Sequence, residues 1–353
     1  MIATAERPLR IRGIATAVPD FPLPQKEVVS HAAETFGGRM RDFERLRPVF
    51  ENTGIEMRYS VRPFEWFHET QDWQKRTEAY LDGATALFVK AATGALEAAG
   101  ISAGEIDTVV AVSSTGIATP SLEARAHKLL GFRPDIHRIP VFGLGCAGGV
   151  SGLSLASRAL RAAPGSKVLM VAVEICTLAF RSDEMTKSNL VATALFGDGA
   201  AAVVLSDEDD GDFPSIAAVG EHLWPDTLNV MGWQVDPIGF GAIFSASIPD
   251  IVSSKMRPAV DEFLQRRGEG IDSLDGFAFH PGGAKVIAVL EEAFDLPEGE
   301  LATERQILRE FGNMSAPTAL FVLKRKLEEG MAGRRLLAAL GPGFTGSFVR
   351  IDA

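Results

Sequence analysis

Residues 138–162 read RIPVFGLGCAGGVSGLSLASRALRA. An apolar, β-like stretch, IPVFGLG, leads into Cys146, and the pattern SGLSLASRALRA predicts a helix from about Ala147 to the stop at Pro164-Gly165. Gly143, Gly145, Gly148 and Gly149 frame the cysteine, permitting a sharp strand-to-helix turn and close approach of a ligand. A thiol at a helix N-terminus feels the positive end of the dipole, which favours thiolate. Free cysteine is more commonly a small buried hydrophobe. Cys176, at the end of VLMVAVEIC with no glycine frame and no helix behind it, reads as structural or pocket-lining.

Outward from this unit the chain alternates strands and helices. Leu9–Val18 reads as a strand ending at Pro19, 25–36 and 40–51 as helices, and 79–99 as a long Ala-rich helix stopping at Gly100. The β-branched run 106–112 predicts a buried strand, and 121–130 a helix ending at Gly131. Beyond Cys146 come the strand KVLMVAVEI (167–175), a polar loop, and the strand-like LFGDGAAAVVLSD (195–207). The acidic, turn-rich SDEDDGDFPS (206–215) is the expected boundary between a half over 1–205, carrying the cysteine, and a half over 206–353. The second half repeats the style, with a strand GFAF, helices over 284–294 and 315–329, and strand, Gly-rich loop and strand over 334–351. This pattern predicts an α/β fold with sheets buried on both faces, and an old duplication.

The bulk composition sets limits. A chain of 353 residues, 46% hydrophobic and 23% charged, suits two domains or one two-lobed unit and buries a large core without staples. Two cysteines argue against a disulfide framework and for a reducing, cytoplasmic setting. A net charge of -11 argues against a nucleic-acid partner, although a local basic patch can still hold an anionic ligand. The N-terminal residues lack the apolar core of a signal peptide, and no run of about 18 apolar residues predicts a membrane span.

Two further residues stand where chemistry is delivered. His280 ends the apolar strand GFAF and precedes the turn PGGAK, on a rim between strand and helix. Asn313, in FGNMSAP, lies between two helices, where an N-cap role is the plain alternative. Gly341-Pro342-Gly343 is, by itself, a turn signal.

Taken together and in order, VFGLGCAGGVSGL, ALFGDGAAAVVLS, FAFHPGGAKV, FGNMSAPTALFVL and GPGFTG resemble the type III polyketide synthases, the chalcone synthase-like enzymes. The resemblance runs from RIRGIATAVP to the last strand. It implies the thiolase fold, two similar α/β halves forming a five-layered αβαβα core, and a homodimer. It implies that Cys146 is the nucleophile that takes the starter from an acyl-CoA, with an imidazolium beside the thiolate. His280 and Asn313 would hold the thioester oxygen of malonyl-CoA and stabilise the enolate left when CO₂ departs. Phe196 matches a gatekeeper phenylalanine, and the second gatekeeper position falls near Ala242. Thr119, before a Pro120 whose peptide bond is expected to be cis, matches a residue that crosses the dimer interface into the neighbour's cavity. Cys176, Ala179 and Ser315 match cavity-lining positions, and Gly341, Pro342 and Gly343 are expected at the substrate site with them; Arg45, with Arg47 close to a second position, matches basic residues that bind CoA, and Asn52 replaces a lysine. CoA thioesters would be substrates, with no metal and no other cofactor.

The small residues at 179 and 242, with MGWQVDPIGF and FGNMSAPT, look like the bacterial alkylpyrone or alkylresorcinol synthases, which take long fatty acyl starters and few malonyl units. An apolar channel bordered by Cys176, Ala179 and Ala242 is therefore expected. The alternatives are a single condensation of the ketoacyl synthase III or 3-hydroxy-3-methylglutaryl-CoA synthase kind, and a non-catalytic acyl-binding or scaffold protein. The Cys-His-Asn order also fits a cysteine protease, but the surrounding signatures do not.

Overall fold

The computed structural model describes residues 7–40, 43–208 and 210–353. Residues 1–6 of the N-terminal stretch, Arg41 and Asp42 of the expected 40–51 helix, and Asp209 of the acidic boundary lie outside the described residues. The strands are β1 Leu9–Ala17, β2 Phe21–Pro24, β3 Met57–Ser60, β4 Thr108–Val112, β5 His137–Val141, β6 Lys167–Ile175, β7 Asp198–Ser206, β8 Ser215–Leu223, β9 Met231–Val235, β10 Phe240–Phe244, β11 Gly276–Phe279, β12 Arg334–Gly341 and β13 Thr345–Asp352. Nine of them hydrogen-bond in the order β11-β12-β13-β8-β1-β7-β6-β4-β5. One arm, β5-β4-β6-β7-β1, is parallel across β5-β4-β6 and antiparallel at β7. The other arm, β8-β13-β12-β11, is parallel only at β11-β12. They join through a short junction, with Leu9 opposite Ile216 and Arg10 opposite Ser215.

Successive side chains of a strand point to opposite faces, and here each face has its own core. On β6, Val168, Met170 and Ala172 share a core with Val110 and Val112 of β4 and with Leu337 and Ala339 of β12. Leu169, Val171 and Val173 join a different core under the helix Trp73–Ala99. The shared core is filled by the helices Gly148–Ala162 and Ala316–Glu328, each touching strands of both arms. Trp73–Ala99 covers the outer face of one arm and Arg257–Gln265 that of the other. The layers run helix, sheet, paired helices, sheet, helix, which is the five-layered thiolase fold. The glycines after Cys146 make the central layer possible: a Cβ on Gly149 would stand 2.2 Å from the carbonyl oxygen of Ala316. Any side chain there would push the two central helices apart.

Local expectations hold at most strands and fail in three places. The 40–51 stretch is two short helices, Phe43–Leu46 and Pro48–Glu51, because Pro48 has no N–H to continue the first. The stretch read as a polar loop after β6 contains the helix Lys187–Leu195, started by the Thr186 hydroxyl accepting from the Asn189 amide at 3.1 Å. Cys176 stands just beyond β6, in a single turn Cys176–Ala179. Among the described residues no helix is long and apolar enough to cross a membrane.

Candidate active site

Cys146 sits in a tight turn, Gly145–Ala147, that feeds the helix Gly148–Ala162. Gly145 adopts φ 47°, in the left-handed region, and a Cβ on it would fall 2.6 Å from Cδ of Pro342. The Gly341-Pro342-Gly343 turn therefore packs directly on the cysteine turn; its role here is to brace the nucleophile's backbone. The Gly145 amide also donates to the Ser114 hydroxyl at 3.1 Å.

Asn313 follows the helix Ala302–Phe311. Its amide N–H donates to the Leu195 carbonyl at 2.9 Å and its carbonyl accepts from the Gly197 amide at 3.1 Å, so its backbone is bridged across Phe196. Its side-chain Oδ1 lies 4.0 Å from Sγ of Cys146 and accepts from the Ser315 amide at 2.8 Å. Its Nδ2 donates to the Gly282 carbonyl at 3.1 Å, which leaves one N–H uncommitted. Asn313 is not the helix cap; that position belongs to Ser315, held at φ 58°, ψ -128°. A non-glycine residue in such a conformation costs of order 1–3 kcal/mol and persists only where its surroundings enforce it. The Cys146 thiol donates to this same Oδ1 of Asn313.

His280 directly follows β11, its amide donating to the Ala338 carbonyl at 2.9 Å. The ring is buried and neither ring nitrogen has a partner among the described residues. Buried polar atoms are normally paired, so an imidazole left open inside a cavity is poised for a ligand. Cys146, His280 and Asn313 all line one cavity of about 440 Å³.

Burial pushes the Cys146 thiol up to about 11 and the His280 imidazole down to about 4. Burial thus opposes the expected dipole effect on this thiol.

The other expected residues divide. The Phe196 ring packs against Trp233 and Phe244, with centroids 5.9 and 5.5 Å away. Cys176 and Ala242 join Ala192 and Phe196 in this same cluster, and Cys176 and Phe196 line a second, smaller cavity next to it; Ala179 is buried in the same turn as Cys176. Trp233 stands opposite Ala242 in the pairing of β9 with β10, its Nε1 donating to the Ser114 carbonyl at 2.9 Å. Arg45 and Arg47 do not line the cavity either, and Arg47 is ion-paired to Glu44 at 3.7 Å. Its charged lining residues are Lys187 and Lys285, each in the first turn of a helix, with Asn52 nearby. Thr119 is exposed, remote from the cavity, and its bond to Pro120 is cis.

Glu174 lies inside the apolar run of β6. It is fully buried, accepts from the Ser114 amide and the Thr115 hydroxyl at 2.8 Å each, and keeps Oε1 unpartnered. Burial raises its carboxyl to about 7. The signal was present in the sequence: a lone acid inside VLMVAVEIC. Among the described residues no three His, Cys, Asp or Glu side chains cluster as a metal site would require.

Residues 3–209 match the family model described as chalcone and stilbene synthases, N-terminal domain, and 216–350 match the C-terminal domain model. The chain belongs to the type III polyketide synthases. The synthase is 36% identical to 1,3,6,8-tetrahydroxynaphthalene synthase of Streptomyces peucetius subsp. caesius, over 98% of this chain and 93% of that one. It is 29% identical to the alpha-pyrone synthesis polyketide synthase-like Pks18 of Mycobacterium tuberculosis, over 95% of this chain and 88% of that one. The crystal structure of 1,3,6,8-tetrahydroxynaphthalene synthase from Streptomyces coelicolor A3(2), a bacterial type III polyketide synthase, superposes with a TM-score of 0.92 at 27% identity, covering 97% of this chain and 99% of that one. The synthase is thus an acyltransferase-type enzyme that condenses polyketide chains from CoA thioesters, which sets aside the scaffold alternative.

Proposed function

We propose that the enzyme joins malonyl-derived units to a long-chain fatty acyl starter carried on Cys146, closing the product as an alkylpyrone or alkylresorcinol. The observation that carries this is the cavity: it holds Cys146, His280 and Asn313 together, and most of its wall is apolar. In this reading Sγ of Cys146 adds to the starter carbonyl as its proton passes to His280, which returns it to the departing CoA sulfur. Malonyl-CoA then loses CO₂. The electron pair of the broken C–C bond flows onto the thioester oxygen, held by N–H groups of His280 and Asn313. A neutral imidazole keeps one N–H for this task. The enolate carbon attacks the Cys146 thioester and the thiolate is expelled. Incubating the enzyme with malonyl-CoA and acyl-CoA starters of graded length, with products identified by mass, is expected to show pyrones or resorcinols with long alkyl chains. Exclusive use of short or aromatic starters would overturn the starter assignment.

In the same reading Lys187 and Lys285, rather than Arg45 and Arg47, meet the CoA phosphates. They are the charged groups on the cavity wall of a chain with net charge -11, so they reverse the sign of the local field for a polyanionic substrate. Exposed charge pairs are worth 0.2–1 kcal/mol each. Replacing both lysines by alanine is therefore expected to raise KM for malonyl-CoA roughly tenfold and to flatten its salt dependence. A malonyl pantetheine thioester without phosphates should be used as by the unaltered enzyme; equal loss on both substrates would remove the lysines from this role.

The reading also takes 1–205 and 206–353 as the two halves, and the enzyme as a homodimer. The exposed Ile117 and Phe142, the exposed Thr119 and the free edge of β5 support an interface on that face. Sedimentation is expected to give twice the chain mass of 37.8 kDa; a fully active monomer would contradict it.

A further inference from the structure

Trp233 and Phe244 pack against the cluster that holds Cys176 and Ala242, and the cavity beside Cys176 is a separate and much smaller one than that around Cys146. The cavity around Cys146 extends elsewhere. Of its polar and charged lining residues, Asn52, Lys187 and Lys285 are exposed and mark the mouth. Its most deeply buried apolar wall is made by Met256, Phe279, Leu290 and Ala338, each no more than 2% exposed, with Leu340 beside them. These residues belong to the core of the second arm, under the helix Ala284–Ala293. A pantetheine arm running from mouth to cysteine has no need of space inside that core. Phe279 immediately precedes His280, so this lobe begins beside the reacting carbonyl. Its far wall is irregular: the helical segment from Ile248 to Gln265 is interrupted by a π-turn at Val252–Met256, which ends on the cavity-lining Met256. Such turns recur at functional sites, and methionine adapts its shape to variable apolar guests.

Resting on the long-chain reading above, we infer that this lobe, between the π-turn and the helix Ala284–Ala293, receives the alkyl tail of the starter. The occupant is a flexible, unbranched hydrocarbon chain. The deep wall offers it no hydrogen-bonding side chain other than His280, and the cavity volume of about 440 Å³ lies within the usual range for ligand pockets. Met256 and Leu290 set the length that fits.

Met256→Trp and Leu290→Trp should fill the lobe. Each methylene left unburied costs about fourfold in kcat/KM, so excluding three should lower lauroyl-CoA roughly fiftyfold more than butanoyl-CoA. Met256→Ala and Leu290→Ala, which do not depend on accommodating an indole, should move the preferred starter to longer chains. An acyl-CoA bearing a diazirine near the chain end, photolysed on the unaltered enzyme, should label peptides containing Met256 or Leu290. Equal loss of both starters in the tryptophan variants, no shift in the alanine variants, or labelling at Cys176–Ala192 would overturn the assignment. Failure of the unaltered enzyme to use lauroyl-CoA while still turning over butanoyl-CoA would instead overturn the long-chain reading, and the lobe's role with it.

Discussion

Cys146→Ala is expected to abolish condensation with every starter, while Cys176→Ala keeps most of the activity. Both thiols are buried and raised by burial, but they differ in what surrounds them. Cys146 lines the cavity at the head of a helix, its thiol donating to Asn313 Oδ1, with an unpartnered imidazole on the same cavity. Cys176 is packed among Ala192, Phe196 and Ala242, and burial, with the carboxylates of Glu174 and Asp198 adding to it, pushes its thiol well above the ordinary range. Its removal takes away one buried sulfur, a loss of order 1 kcal/mol in packing. Intact-protein mass spectrometry after mixing with an acyl-CoA separates the two directly. The unaltered enzyme and Cys176→Ala should each gain one acyl mass, and Cys146→Ala none. An acyl adduct surviving in Cys146→Ala, or lost in Cys176→Ala, would reassign the nucleophile.

The parts of this molecule legible in the sequence are those fixed by neighbours along the chain. KVLMVAVEI is a strand from Lys167 to Ile175 as read, because a short continuous apolar run between turn signals has little else to become when both faces are buried. Cys146, His280 and Asn313 are weak signals singly and stand out only as an ordered set of motifs resembling one family; the structure brings all three to one cavity. The helix Lys187–Leu195 was not legible, since its serine, asparagine and threonine resemble a loop until the Thr186 cap is seen; Lys187 at the cavity mouth was lost with it. The surroundings of the pocket residues were not legible for a different reason: the volume beside a small side chain is set by what arrives from across the fold, as Trp233 of β9 does opposite Ala242 of β10. Glu174 shows the converse: its burial depends on Ser114 and Thr115, some sixty residues earlier in the chain.

Asn313→Ala is expected to slow malonyl-CoA decarboxylation by roughly 10²–10³, the effect of removing one oxyanion donor, about 2.7–4 kcal/mol. The structure sharpens the test. Alanine deletes the free N–H, but it also deletes Oδ1, the acceptor for the amide of Ser315 in its strained conformation. Part of the loss could then come from a displaced serine. Asn313→Asp separates the two, since a carboxylate keeps an acceptor for the Ser315 amide and has no donor for the enolate. It also places a negative charge where negative charge develops. Asn313→Asp should therefore decarboxylate no better than Asn313→Ala, even though its turn is intact. Acylation of Cys146 by a starter should survive in both variants, because that step precedes the enolate; His280→Ala should impair acylation as well, through loss of the proton acceptor. CO₂ release in the absence of a starter, measured beside acyl-enzyme formation, distinguishes these roles. Decarboxylation at the unaltered rate in Asn313→Asp would show that the asparagine holds the Ser315 turn and leaves the enolate to His280 alone.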